Sequence, residues 1–80
     1  MGNEVADRLD PVELASRLYK MNLHRKQHNL RPIYQADIAQ RLNVSTGAIS
    51  NALNDRYPGI LRKMLPILEE FETETERETA

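Results

Sequence analysis

The chain has no cysteine, no tryptophan, one phenylalanine and only three glycines in 80 residues. Without cysteine there are no disulfide staples, no thiolate zinc sites and no thiol nucleophile, and the composition fits a reducing compartment. No apolar run approaches the ~20 residues that cross a bilayer, so no membrane partner is expected. None follows the start either, so no signal peptide is expected. Ala6 stands where an N-myristoylation signal after Gly2 requires Ser or Thr. There is no Gly-rich phosphate loop, no pair of carboxylates placed for acid–base work, no strand-like alternation and no internal repeat. An enzyme is not expected, and neither is a cofactor.

What remains is an ordinary globular composition, 40% hydrophobic and 29% charged, in a chain long enough for one small domain. The net charge of −1 hides an asymmetry. Met1 to Leu68 carries ten Lys/Arg against six Asp/Glu, a net of +4, whereas Glu69 to Ala80 carries six Glu against one Arg, a net of −5. A basic body with an acidic end differs in kind from a neutral protein.

Residues 1–9 contain little that is apolar and read as a flexible arm. Asp10-Pro11 is a helix start, because Asp caps an orphan amide and Pro is tolerated at the first helical position. Leu14, Ala15, Leu18, Tyr19, Met21 and Leu23 then follow at helical spacing, with the helix reaching about His28 and Asn29 as terminator. Leu30-Arg31-Pro32 breaks the pattern. A second helix is expected from about Gln35 to Leu42, and a third from Ser45, its N-cap, to about Asn54. Tyr57-Pro58-Gly59 reads as a turn. A fourth helix follows, with Ile60, Leu61, Met64, Leu65, Leu68 and Phe71 inward, and Pro66 either kinks or splits it. Glu72 to Ala80 has almost no apolar group and reads as a disordered acidic tail. The fold class is therefore all-α, a compact bundle of four to five short helices over residues 10–71.

The informative stretch is Gln35 to Asn54, QADIAQRLNVSTGAISNALN. Two short helices flank a break, and most positions meet the demands of packing them at a steep angle. Ala39 is small where the helices approach. Ile38, Leu42, Val44, Ile49 and Leu53 bury the corner. Asn43 sits where the chain must turn left-handed, a conformation that Asn tolerates. The outward positions of the second of these helices, Thr46, Gly47, Ser50, Asn51 and Asn54, are all small or polar. Asn and Ser can pair with base edges, and Thr can touch a thymine methyl. Gly47 costs the helix about 1 kcal/mol relative to Ala, which close approach to another surface would justify.

These residues resemble the helix-turn-helix of the phage Cro and repressor (XRE-type) family, most closely around Asn43-Val44, Ala48-Ile49 and Ala52-Leu53. The continuation STGAISNALNDRYPG is also similar to the amino-terminal DNA-binding domain of the Mu phage transposition ATPase. The likeness covers about residues 33 to 61, and Asn43 departs from the usual Gly at the turn. It implies a lambda-repressor-like fold and a helix lying in the major groove of double-stranded DNA. Ser45, Thr46, Gly47, Ser50, Asn51 and Asn54 would face bases, and Gln35 would donate to a phosphate. It further implies a transcriptional repressor of a phage, plasmid or bacterium, cytoplasmic and nucleoid- or plasmid-associated. Such a protein binds a palindromic operator as a homodimer.

Around this motif, Arg17, Lys20, Arg25 and Lys26 form a basic stretch that either contacts phosphates or is a solvated face. His24 and His28 have metal-ligand spacing, but no third ligand is in view, so no metal is expected. Arg56 and Tyr57 suit backbone contact, with Tyr57 alternatively packing its ring on the core. Arg62 and Lys63 open the last helix, where phosphate contact is also favoured. That helix has surplus apolar groups, and Ile67, Leu68 or Phe71 could form a dimer contact. The alternative is a monomer with all of them in its core. Two other functions stay open: an accessory factor in partition, replication or transposition, and a protein-interaction module that binds no DNA. No small-molecule ligand is expected.

Overall fold

The computed structural model describes residues 10–55 and 58–80, and these form four helices: α1 (Pro11–Gln27), α2 (Gln35–Leu42), α3 (Thr46–Asp55) and α4 (Pro58–Thr79). Among the described residues there is no strand. The arm expected over residues 1–9, together with Arg56 and Tyr57, lies outside them. None of the described helices is long and apolar enough to cross a membrane.

Each helix begins and ends for a local reason. At the start of α1 the Asp10 carboxylate accepts from the Val12 amide at 2.9 Å, with Pro11 in the first turn. Asp37 caps α2 by reaching back to accept from the Tyr34 amide at 2.7 Å. Both α1 and α2 stop in a left-handed asparagine, Asn29 at φ 59° and Asn43 at φ 57°. In each case two amides then close onto the preceding turn. Asn29 donates to the Lys26 carbonyl (3.1 Å) and Leu30 to Arg25 (2.9 Å), while Asn43 donates to Gln40 (3.2 Å) and Val44 to Ala39 (3.0 Å). This is the Schellman closure that helices usually build with glycine.

The core takes Leu14 and Met21 from α1, Ile38 and Ala39 from α2, Ile49 and Ala52 from α3, and Leu61, Met64, Leu68 and Phe71 from α4. Ile33, in the connection after α1, is buried too. It is held there by Asn22, whose side chain donates to the Ile33 carbonyl (2.9 Å) and accepts from its amide (2.8 Å). Burying each Leu, Ile or Met contributes about 1.5–3 kcal/mol, and α4 touches all three other helices.

Two expectations are corrected here, the turn and the acidic end, and the choice left open at Pro66 is narrowed. The turn expected at Tyr57-Pro58-Gly59 gives way at Pro58, because Pro58 and Gly59 already belong to the first turn of α4. Proline's fixed φ suits that position and its missing N–H is not needed there. Pro66 does not split α4, which runs through it as one helix with Leu61, Met64, Leu68 and Phe71 buried on either side.

The largest difference is the acidic end. Residues 72–79 are helical rather than disordered. The buried stripe of α4 continues past Phe71 into Thr75, and that of α1 continues past Met21 into Arg25. The two polar residues meet: Arg25 donates to the Thr75 hydroxyl (2.9 Å), to Glu78 (3.0 Å) and to the Arg31 carbonyl (2.6 Å). Arg17 grips Glu72 with two bonds, at 2.6 and 3.2 Å. Arg41 lies 4.0 Å from the centre of the Phe71 ring and pairs with Glu70 (3.4 Å) and Glu74 (3.0 Å). Thr73, Thr75 and Thr79 each donate their hydroxyl to the carbonyl four residues earlier. Six glutamates near a helix C-terminus oppose the helix dipole. Three arginines from α1 and α2 offset that repulsion.

Candidate functional site

The two helices of the Gln35–Asn54 segment form as the residues require, joined by Asn43, Val44 and Ser45. The Ser45 hydroxyl accepts from the Ala48 amide at 3.1 Å and caps α3. Ile49 and Ala52 fix the inner face of α3 in the core, with no exposed surface, and Leu53 packs beside them. With that face fixed, the helical period leaves Thr46, Gly47, Asn51 and Asn54 exposed and Ser50 half-buried.

This face is unusual in what it lacks. From Thr46 to Asn54 there is no charged residue and no side chain longer than asparagine on the outside. The side chains of Thr46, Ser50, Asn51 and Asn54 make no hydrogen bond to any described residue. Gly47 is the sharpest case. A Cβ placed there would meet nothing nearer than the Ser45 Oγ at 3.8 Å, an ordinary contact, and its φ is not positive. Nothing in the packing of the described residues requires glycine at that position.

No family model, curated protein or solved structure matches this chain. The chemistry of the site therefore has to be read from its own residues. A rigid helix with a shallow, uncharged face rich in paired donors and acceptors suits a surface that presents hydrogen-bonding edges at close range. Gln35, at the start of α2, is half-buried. Lys20 and Lys26 on α1, and Arg62 and Lys63 on α4, have exposed side chains.

Two of the cations expected to reach phosphates are engaged by groups of the chain itself. Arg25 is only 7% exposed and fully engaged with Arg31, Thr75 and Glu78. Arg17 is gripped by Glu72, which holds its guanidinium above the ordinary arginine range. The sequence signal for this was the helical spacing itself. Arg25 stands four residues after Met21 on the buried stripe, the position at which a core residue was due.

Of the residues named for a dimer contact on α4, two lie where the alternative of a monomer core puts them and Ile67 is half-buried. Leu68 and Phe71 are buried in the chain's own core and Ile67 packs against it, so the surplus of that helix is consumed internally. His24 and His28 have ring centroids 4.7 Å apart, and His24 Nε2 lies 3.0 Å from the Thr79 hydroxyl. No group of three or more potential metal ligands is gathered among the described residues.

Proposed function

We propose that this chain is a sequence-specific double-stranded DNA-binding protein, a transcriptional regulator of repressor type, and that α3 is the element that enters the major groove. In this reading Ser45, Thr46, Gly47, Ser50, Asn51 and Asn54 address base edges. Gln35, Arg56, Tyr57, Arg62 and Lys63 address the backbone and set the register. Arg17 and Arg25 serve the fold instead.

The observation that carries the reading is the outward face of α3. From Thr46 to Asn54 it is small, uncharged and hydrogen-bonded to no described residue, and it includes a glycine that the packing of the described residues does not need. A helix exposed only to water would be more stable with Ala, Lys or Glu at those positions. Such a face makes sense if a close neighbour supplies the missing partners, and bases in a groove about 12 Å wide do so.

Selection of bound fragments from a random double-stranded DNA pool tests this. The expected outcome is enrichment of one motif, palindromic if two protomers bind. Titration of that motif should shift the amide resonances of residues 45–54 more than those of the second half of α4. A pool that shows no enrichment, together with amides of 45–54 that do not move, would overturn the proposal. Repression of a reporter from the selected site would then separate a regulator from an accessory DNA-binding factor.

A further inference from the structure

The outer face of α1 is apolar where a solvated helix carries charge. Val12 is 73% exposed, Tyr19 69% and Leu23 47%. None of these belongs to the stripe of Leu14, Met21 and Arg25 that seals the core from the other side of the same helix. Val12, Ser16, Tyr19, Leu23 and Lys26 follow one another at steps of four, three, four and three residues, the spacing of a coiled-coil seam. A groove lined by Tyr19, Leu23, Lys26, Leu30 and Pro32 extends the patch beyond the end of the helix.

We propose that this stripe is where the protein associates with a second copy of itself, α1 of one protomer lying antiparallel to α1 of its partner across a two-fold axis. The charge pattern selects both occupant and direction. In the antiparallel register centred between Ser16 and Tyr19, Val12 meets the partner's Leu23, and Tyr19 meets the partner's Ser16, a large side chain against a small one. On one flank Glu13 comes opposite the partner's Lys20, and symmetry repeats the pair. On the other, Ala15 faces Asn22 and lets the helices approach. A parallel pairing would set the flank of Glu13 and Lys20 against the partner's Ala15 and Asn22, forfeiting both ion pairs, and the two helix dipoles would add their repulsion. Glu13, Lys20 and Ala15 are all exposed and available. One pair of 17-residue helices is a small contact, at the low end of interface sizes, so the dimer is weak and reversible.

The inference does not depend on DNA binding, because its readout is mass in solution. Sedimentation equilibrium on the full chain without DNA, from micromolar to sub-millimolar concentration, should show a monomer–dimer equilibrium. Leu23→Glu should raise the dissociation constant more than tenfold, since two apolar layers are lost per dimer. Glu13→Lys and Lys20→Glu, each alone, should raise it about tenfold by turning two attractions into repulsions. Mixed in equal amounts, those two variants should pair with each other and recover the wild-type constant. All three positions are exposed, so helicity and melting temperature should match the wild type. If Leu23→Glu melts lower, Tyr19→Lys gives the same readout. A chain that stays monomeric throughout, or association indifferent to these changes, or a mixture that fails to recover, would overturn the proposal.

Discussion

α3 and the second half of α4 are both polar, surface-lying helix, and they are built on opposite terms. On α3 the side chains of Thr46, Ser50, Asn51 and Asn54 hydrogen-bond to no described residue. Most of those of α4 from Glu70 to Thr79 are bound to the rest of the chain: Glu70 and Glu74 to Arg41, Glu72 to Arg17, Glu78 to Arg25 beside the buried Thr75, and Thr79 to His24, with Glu76 and Arg77 left exposed. One region keeps its hydrogen-bonding groups unspent and the other uses them to stay folded. The difference teaches that polarity alone does not mark a binding surface. What matters is whether the polar groups are already satisfied.

The largest way to break that comparison is to delete residues 72–80. If they were a solvated tail, stability would not change and only non-specific DNA affinity would rise. With the latches in place, the deletion strips Arg25 of two of its three acceptors while the helix around it stays packed. Orphaning a buried charge costs about 3 kcal/mol, partly relieved here as water enters the vacated end of α4. Urea denaturation should therefore show a loss of about 2–3 kcal/mol, a large share of the stability of a domain this small. An unchanged midpoint would return the acidic end to the status of a loose appendage.

The complementary experiment removes one group from α3. Asn51→Ala should leave the denaturation midpoint within about 0.5 kcal/mol, because the side chain is exposed and unbonded. It should nonetheless weaken binding to the selected DNA by about 1–3 kcal/mol per half-site while sparing random DNA. Equal losses on both DNAs would reassign Asn51 from base reading to general adhesion.

Gly47→Ala sharpens the same contrast by driving stability and affinity in opposite directions. The new methyl group has room and a compatible φ, so α3 should gain about 0.5–1 kcal/mol. Binding should weaken because the methyl group intrudes where the bases approach. A variant that gains stability and loses nothing in affinity would remove Gly47 from the interface.

How much of this was legible in the sequence follows the same division. The bounds of α2 and α3, the left-handed Asn43 and the Ser45 cap were readable because each depends on neighbours within four or five residues. The all-α architecture followed from helical spacing of the apolar groups. The end of α4 was not readable from its composition. Its stability comes from partners 29 to 55 residues away, and a window rich in Glu and Thr carries no sign of them. The trace that did exist was positional. Leu61, Met64, Leu68, Phe71 and Thr75 keep one spacing, as do Leu14, Leu18, Met21 and Arg25, so both core stripes run on into a polar residue. Counting position rather than polarity would have set Arg25 against Thr75 and withdrawn Arg25 from any DNA surface.

The smallest expected effect compares the caps of the two helices in the motif. α2 is closed by a carboxylate and α3 by a hydroxyl. The Asp37 carboxyl is held below its ordinary range, first by the bond from the Tyr34 amide and then by Arg31 at 3.1 Å. A carboxyl whose folded pKa is depressed contributes stability above its unfolded value and loses it as pH falls through the folded one. The Tyr34 amide resonance should therefore titrate with a midpoint below that of an ordinary aspartate, while the Ala48 amide, bonded to Ser45, stays level. Asp37→Asn should abolish the titration and cost about 0.5 kcal/mol at neutral pH, the position being near the surface. If both amides move together on acidification, the two helices unfold as one unit and the separate cap of α2 has no independent meaning.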